Sequence, residues 1–123
     1  MKTYRYKTCH KLILGDLHTP LSTYLKVRDF FSQSALMESS DYHGGENSRS
    51  FIGLHPIASI GINHGKAILR YPDNYTVEHT INDSYRCEDV INEFIRSFDV
   101  KGEFKDYCGL YGYTSFNAVR YFE

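Results

Sequence analysis

The chain has 123 residues, of which 41% are hydrophobic and 24% charged, and its formal net charge is -1. This balance is ordinary for one globular domain, and the length is sufficient to bury a hydrophobic core. The near-neutral charge, without a run of basic residues, gives no electrostatic support to nucleic-acid binding or to polybasic membrane attachment. No apolar run approaches the roughly 18 residues of a membrane-spanning helix, and the polar N-terminus lacks a signal-peptide core, so we expect a cytoplasmic protein.

The cysteines and histidines do not predict a disulfide or a metal site. Cys9, Cys87 and Cys108 are far apart and form no C-x-x-C pair, so the odd count indicates free thiols. The six histidines lack the H-E-x-x-H and H-x-x-x-H spacings of metal sites. The Gly44-Gly45 pair is followed by Glu46-Asn47 rather than Lys-Ser/Thr, which is unlike a phosphate-binding loop.

The N-terminal half mixes strand-like and helical patterns. Residues 3–14 are rich in Thr, Tyr and Ile and predict a first strand. The dipeptide Thr19-Pro20 supplies an N-cap and a proline at the first helical position, which predicts a helix over residues 20–31. Two further strands are predicted at 34–39 and 49–54, on either side of a polar loop.

The C-terminal half begins with a predicted antiparallel meander. Its three strands, 59–62, 66–71 and 75–79, are separated by the turn-forming segments Asn63-His64-Gly65 and Pro72-Asp73-Asn74. A helix follows, because apolar residues recur at helical spacing. These residues are Val90, Ile91, Phe94, Ile95 and Phe98, with Glu88 and Asp89 near the N-terminal end.

The last predicted elements are a strand at residues 108–113 and a final helix, capped by Ser115, that runs to the end of the chain. The two glycines of this strand suggest close approach of another backbone or a ligand, although simple packing of the tyrosines there is favoured. Because strands and helices do not alternate regularly, we expect the α+β class, with a mainly antiparallel sheet and two to three helices.

One set of polar residues suggests binding chemistry, at the ends of the second and third predicted strands: Glu38, Ser39, Arg49 and Ser50. The carboxylate of Glu38 suits the ammonium of a free amino acid, and the fork of Arg49 or a serine hydroxyl suits its carboxylate. From the residues alone, however, a solvated hairpin with a surface ion pair is the favoured interpretation. Such a pair contributes less than about 1 kcal/mol.

Three stretches in this order resemble the N-terminal region of anthranilate synthase component I: TPLSTYLK at 19–26, LMES at 36–39 with SRSFIG at 48–53, and GLYGY at 109–113 leading to AVRYFE at 118–123. The second stretch is similar to the Leu-Leu-Glu-Ser segment of that family, with Met37 in place of the second leucine. This exchange roughly conserves volume. Residues 1–123 would then form the N-terminal domain of such an enzyme, an incomplete part of its layered fold.

The resemblance implies a lyase of tryptophan biosynthesis that converts chorismate and ammonia to anthranilate and pyruvate. A glutamine amidotransferase, component II, supplies the ammonia. The residues that bind chorismate and Mg²⁺ lie in a large C-terminal domain that is absent here, so no catalytic, cofactor-binding or metal-binding residue is assigned and the fragment is expected to be inactive.

By the same resemblance, Glu38, Ser39, Arg49 and Ser50 are this chain's part of a tryptophan feedback site that the missing domain completes. The helical end at Glu123 suggests an excised fragment, and its uncovered apolar surface and sheet edges favour self-association. The alternatives are aminodeoxychorismate synthase component I, a free-standing amino-acid-binding α+β module, and an interaction domain that uses the strand pair as an edge.

Overall fold

The computed structural model describes residues 2–38, 49–116 and 118. The chain divides into two compact units, which we call unit 1 (residues 1–11 and 57–123) and unit 2 (residues 12–56). The elements, in chain order, are β1 (Tyr4–Lys7), α1 (Pro20–Val27), β2 (Ser34–Glu38), β3 (Ser50–Leu54), β4 (Ser59–Asn63), β5 (Lys66–Arg70), β6 (Thr76–Thr80), α2 (Cys87–Arg96), β7 (Phe98–Lys101) and a short 3-10 helix (Lys105–Tyr107). Two α-helices and mostly antiparallel strands in these residues confirm the α+β class.

Unit 2 begins with a helix whose N-terminus was predicted correctly. The Thr19 side chain accepts the Ser22 N–H at 3.0 Å, and the Ser22 side chain accepts the Thr19 N–H at 3.0 Å, which forms a capping box. The helix ends at Val27 rather than at residue 31 as predicted. The Phe30 N–H donates to the Val27 carbonyl three residues back, at 3.0 Å, so the chain leaves the helix in a turn at this point.

The predicted strand pair of unit 2 is confirmed. Strands β2 and β3 pair antiparallel, from Ser34 opposite Leu54 to Glu38 opposite Ser50. The apolar residues between these ends are mostly half-buried, whereas Glu38 and Ser50 are exposed. The polar residues that the sequence singled out therefore lie at one end of this hairpin.

Unit 1 contains the predicted meander and the main core. Strands β4, β5 and β6 form one antiparallel sheet, and His64 (φ 52) and Gly65 (φ 75) make the two-residue turn between β4 and β5. Helix α2 packs on this sheet through four buried apolar residues: Ala67 and Leu69 from β5, and Val90 and Phe94 from α2. All four are 0% exposed, so this contact is the centre of the unit.

The pairing of β1 with β7 was not predicted. Because of it, the predicted ends of the second helix and of the first strand were both wrong. These strands run parallel, with Tyr4 opposite Phe98. Helix α2 ends at Arg96 because the next carbonyl, that of Ser97, accepts the Tyr4 N–H at 2.7 Å. Phe98 therefore belongs to β7, although its spacing also fits the helix.

The first strand covers Tyr4–Lys7 rather than residues 3–14, because its partner β7 ends at Lys101. After β7, the chain turns at Gly102, which has a φ of +115. A Cβ atom added to Gly102 would collide with the side-chain oxygen of Thr8. Only glycine suits this position. The apolar residues beyond β1, Leu12 among them at 94% exposed, have no strand partner among the described residues.

The predicted strand at 108–113 is also wrong, because these residues are irregular and pair with no strand among the described residues. Within the described part of the chain, neither Gly109 nor Gly112 has an atom within 4 Å of an added Cβ, so close approach of a described backbone does not explain them. The predicted final helix lies mostly outside the described residues. Within them, the Ala118 N–H donates to the Ser115 carbonyl at 3.0 Å.

Candidate functional site

The candidate site lies at the end of the β2–β3 hairpin where the two strands approach the polar loop. Glu38 is the last residue of β2 and Ser50 is the first residue of β3, and the two are direct partners in the ladder. Side chains of direct antiparallel partners lie on the same face, with Cβ atoms roughly 4.5–5.5 Å apart. The Glu38 carboxylate and the Ser50 hydroxyl can therefore contact one small ligand together.

Arg49 immediately precedes β3 and is exposed, like Glu38 and Ser50. It lies just outside the strand, so the alternation of the pleat does not fix the face that its side chain takes. A guanidinium at this point brings a positive charge to the strand end that holds the Glu38 carboxylate. Ser39, the fourth predicted residue, lies outside the described residues, as does the loop 40–48.

This arrangement matches the charge pattern of a free amino acid. A carboxylate binds an ammonium group with charge-assisted hydrogen bonds, and a guanidinium binds a carboxylate through two parallel bonds. Both charges stand at exposed positions, where an ion pair by itself adds little stability. The residue types at this hairpin end are those that a small zwitterion would require, and they are also those of a solvated hairpin end.

The opposite end of the same hairpin has a different composition. The His55 ring meets the edge of Phe31 at a centroid distance of 6.4 Å, and His55 has a left-handed backbone (φ 53). An open cleft of about 250 Å³ lies here, lined by Phe30, Phe31, Ser32, Gln33, His55 and Pro56. Its lining contains no Asp, Glu, Lys or Arg, so it does not provide the paired charges that an amino acid requires.

In unit 1, Asp73 joins the N-terminus to the turn between β5 and β6. Its carboxylate accepts hydrogen bonds from Lys2 Nζ at 2.8 Å, from the Tyr4 hydroxyl at 3.0 Å and from the Tyr75 N–H at 3.1 Å. The Lys2 bond, with the Tyr75 and Tyr4 bonds, lowers the pKa of Asp73 to about 2. A carboxylate that stays ionised in this way is a structural clamp and a poor general acid.

A second polar contact of unit 1 joins Tyr85 to helix α2. The Tyr85 hydroxyl donates to the Glu93 carboxylate, and the His79 ring meets Tyr85 edge-on at 5.2 Å. Burial, together with the Glu93 hydrogen bond, raises the pKa of Tyr85 to about 12. Burial also raises the pKa of the Cys87 thiol, which makes it a poor nucleophile.

Sequence reasoning did not find these two contacts. Asp73 was predicted as a turn residue, which is correct, but its partners Lys2 and Tyr4 are about 70 positions away and no local pattern connects them. Tyr85 and Glu93 are eight positions apart, with the start of α2 between them. Because Tyr85 precedes the helix, helical spacing does not place it beside Glu93, and the sequence contains no other signal for the pair.

The three cysteines are free thiols, as predicted. Among the described residues, no group of three His, Cys, Asp or Glu side chains could hold a metal ion. Within the same residues, no helix combines the length and the apolar character needed to cross a membrane. Comparison with protein-family models, with curated proteins and with solved structures gives no match to this chain.

Proposed function

We propose that this chain is the tryptophan-binding N-terminal region of an anthranilate synthase component I, a cytoplasmic enzyme that converts chorismate and ammonia to anthranilate and pyruvate. The observation that carries the proposal is the register of the β2–β3 hairpin, which pairs Glu38 with Ser50 directly beside Arg49. The ordered resemblance of three sequence stretches to that family supports the same conclusion. The α+β units would be an incomplete part of the layered fold of the whole enzyme.

Each residue has a role that its chemistry dictates. Glu38 binds the α-ammonium group of tryptophan, and Ser39 and Ser50 add hydroxyl hydrogen bonds. Arg49 binds the α-carboxylate. The indole ring has no apolar partner among these four polar side chains, and the resemblance implies that the missing domain completes the site.

Tryptophan binding at this hairpin regulates a reaction that takes place elsewhere. Chorismate, Mg²⁺ and the amidotransferase component II belong to the remainder of the enzyme, and this chain supplies no catalytic residue. Feedback inhibition requires that tryptophan bind one conformation of the whole enzyme more tightly than another. The role of the hairpin is to provide part of that difference in affinity.

The same register supports one other function, a free-standing module that binds an amino acid. This alternative needs only the Glu38–Ser50 pair and Arg49, without a second domain. The two functions differ in the gene: a reading frame that continues past Glu123 into a chorismate-binding domain supports the first, and a stop codon there supports the second. Aminodeoxychorismate synthase component I is the alternative within the family, and the product of the full-length enzyme identifies it.

Tryptophan binding can be measured directly because the chain contains no tryptophan (Trp 0). Added tryptophan is then the only indole in the sample, and its fluorescence anisotropy reports binding. We expect weak or undetectable binding to this chain, since part of the site lies outside it. Affinity in the low-micromolar range would contradict the shared site and support the free-standing module.

The role of Glu38 is tested in the full-length enzyme by titrating tryptophan against anthranilate production. Glu38→Gln removes the charge that binds the ammonium group, and a hydrogen bond to a charged group is worth about 1.5–3 kcal/mol. We therefore expect the inhibition constant to rise roughly ten- to hundredfold, with an unchanged rate in the absence of tryptophan. Asp16→Asn, at another exposed acid of unit 2, is the matched control.

Two results would contradict this proposal. Unchanged tryptophan inhibition in Glu38→Gln would exclude Glu38 from the effector site. Formation of fluorescent anthranilate by the 123-residue chain in the presence of chorismate, Mg²⁺ and ammonia would show that catalysis does not require the remainder of the enzyme.

A further inference from the structure

We draw no further inference here: the strongest candidate, the open cleft of unit 2 between Phe31 and His55 at the end of the β2–β3 hairpin remote from the polar loop, has a lining that is exposed except for the half-buried Phe31, and nothing among the described residues shows what occupies or covers it.

Discussion

Phe94 is the residue whose loss should reveal most about the stability of unit 1. Its side chain is 0% exposed, and it lies where helix α2 packs on the meander. Its ring also meets Tyr71 and Phe98 edge-on, each at a centroid distance of 5.3 Å. Phe94→Ala removes this ring and leaves a cavity that rigid neighbours on the sheet and on β7 cannot fill completely.

The expected cost is large relative to the stability of a domain. Buried Phe→Ala substitutions cost about 3–5 kcal/mol, and edge-to-face ring pairs add about 0.5–1.5 kcal/mol each beyond area burial. We therefore expect a loss in the upper part of that range, about 4–5 kcal/mol. Because a typical domain is stable by only about 5–15 kcal/mol, the variant should be close to unfolding at room temperature.

The measurement is urea unfolding, followed by circular dichroism and by the fluorescence of the tyrosines. Ile95→Ala, one residue further along α2 and 49% exposed, is the matched control, and we expect it to cost about 1 kcal/mol or less. Phe94→Leu keeps most of the volume and should cost about 1–2 kcal/mol, so it gives a measurable value if the alanine variant does not fold.

The reasoning would be refuted if Phe94→Ala lost no more stability than Ile95→Ala. That result would mean that the helix–sheet contact of unit 1 is not its main source of stability. A Phe94→Leu loss equal to that of alanine would instead indicate that the shape of the ring, rather than its volume, determines the packing.

Three further predictions concern individual contacts. Because the folded pKa of Asp73 lies below its ordinary value of 3.8, the ionised carboxylate contributes stability above pH 3.8 that is lost as the pH falls towards 2. The difference in unfolding free energy between wild type and Asp73→Asn should therefore shrink between these pH values. A constant difference would contradict the clamp. Tyr85, with its pKa raised to about 12, contributes stability that is complete below its ordinary value of 10.0 and lost as the pH rises through 12. In an ultraviolet titration of phenolate, Tyr85→Phe should lack this late ionisation, and its persistence in the variant would assign it to another tyrosine. Thr19→Ala removes the N-cap of α1 and should cost about 0.5–2 kcal/mol in urea unfolding, whereas Thr19→Ser should be nearly neutral.

The elements that were predicted correctly are those defined by local chemistry. Thr19-Pro20 begins α1, and the Asn63-His64-Gly65 turn sets the β4–β5 hairpin. The strands on either side of the loop were also correct, to within one residue at each end. In each case the signal lies within a few neighbouring residues, so the sequence contains it directly.

The errors occur where distant residues decide the outcome. Phe98 fits the helical spacing of α2 but forms β7, because β1, which is remote in sequence, pairs with it. Residues 108–113 have strand-like composition but no strand partner among the described residues, and a strand without a partner leaves its backbone groups unsatisfied. Local propensity is a weak guide in both cases, since pairing determines which conformation is stable.

For the candidate site, the order of amino acids was enough to establish the residue types: a carboxylate, hydroxyls and a guanidinium on either side of a polar loop. It did not establish that Glu38 and Ser50 are direct partners, because a shift of one residue in the register would place their side chains on opposite faces. That register is set when β2 and β3 fold together and share a half-buried apolar face. The same is true of Asp73 and its distant partners, whose contact exists only once the N-terminus has reached the meander.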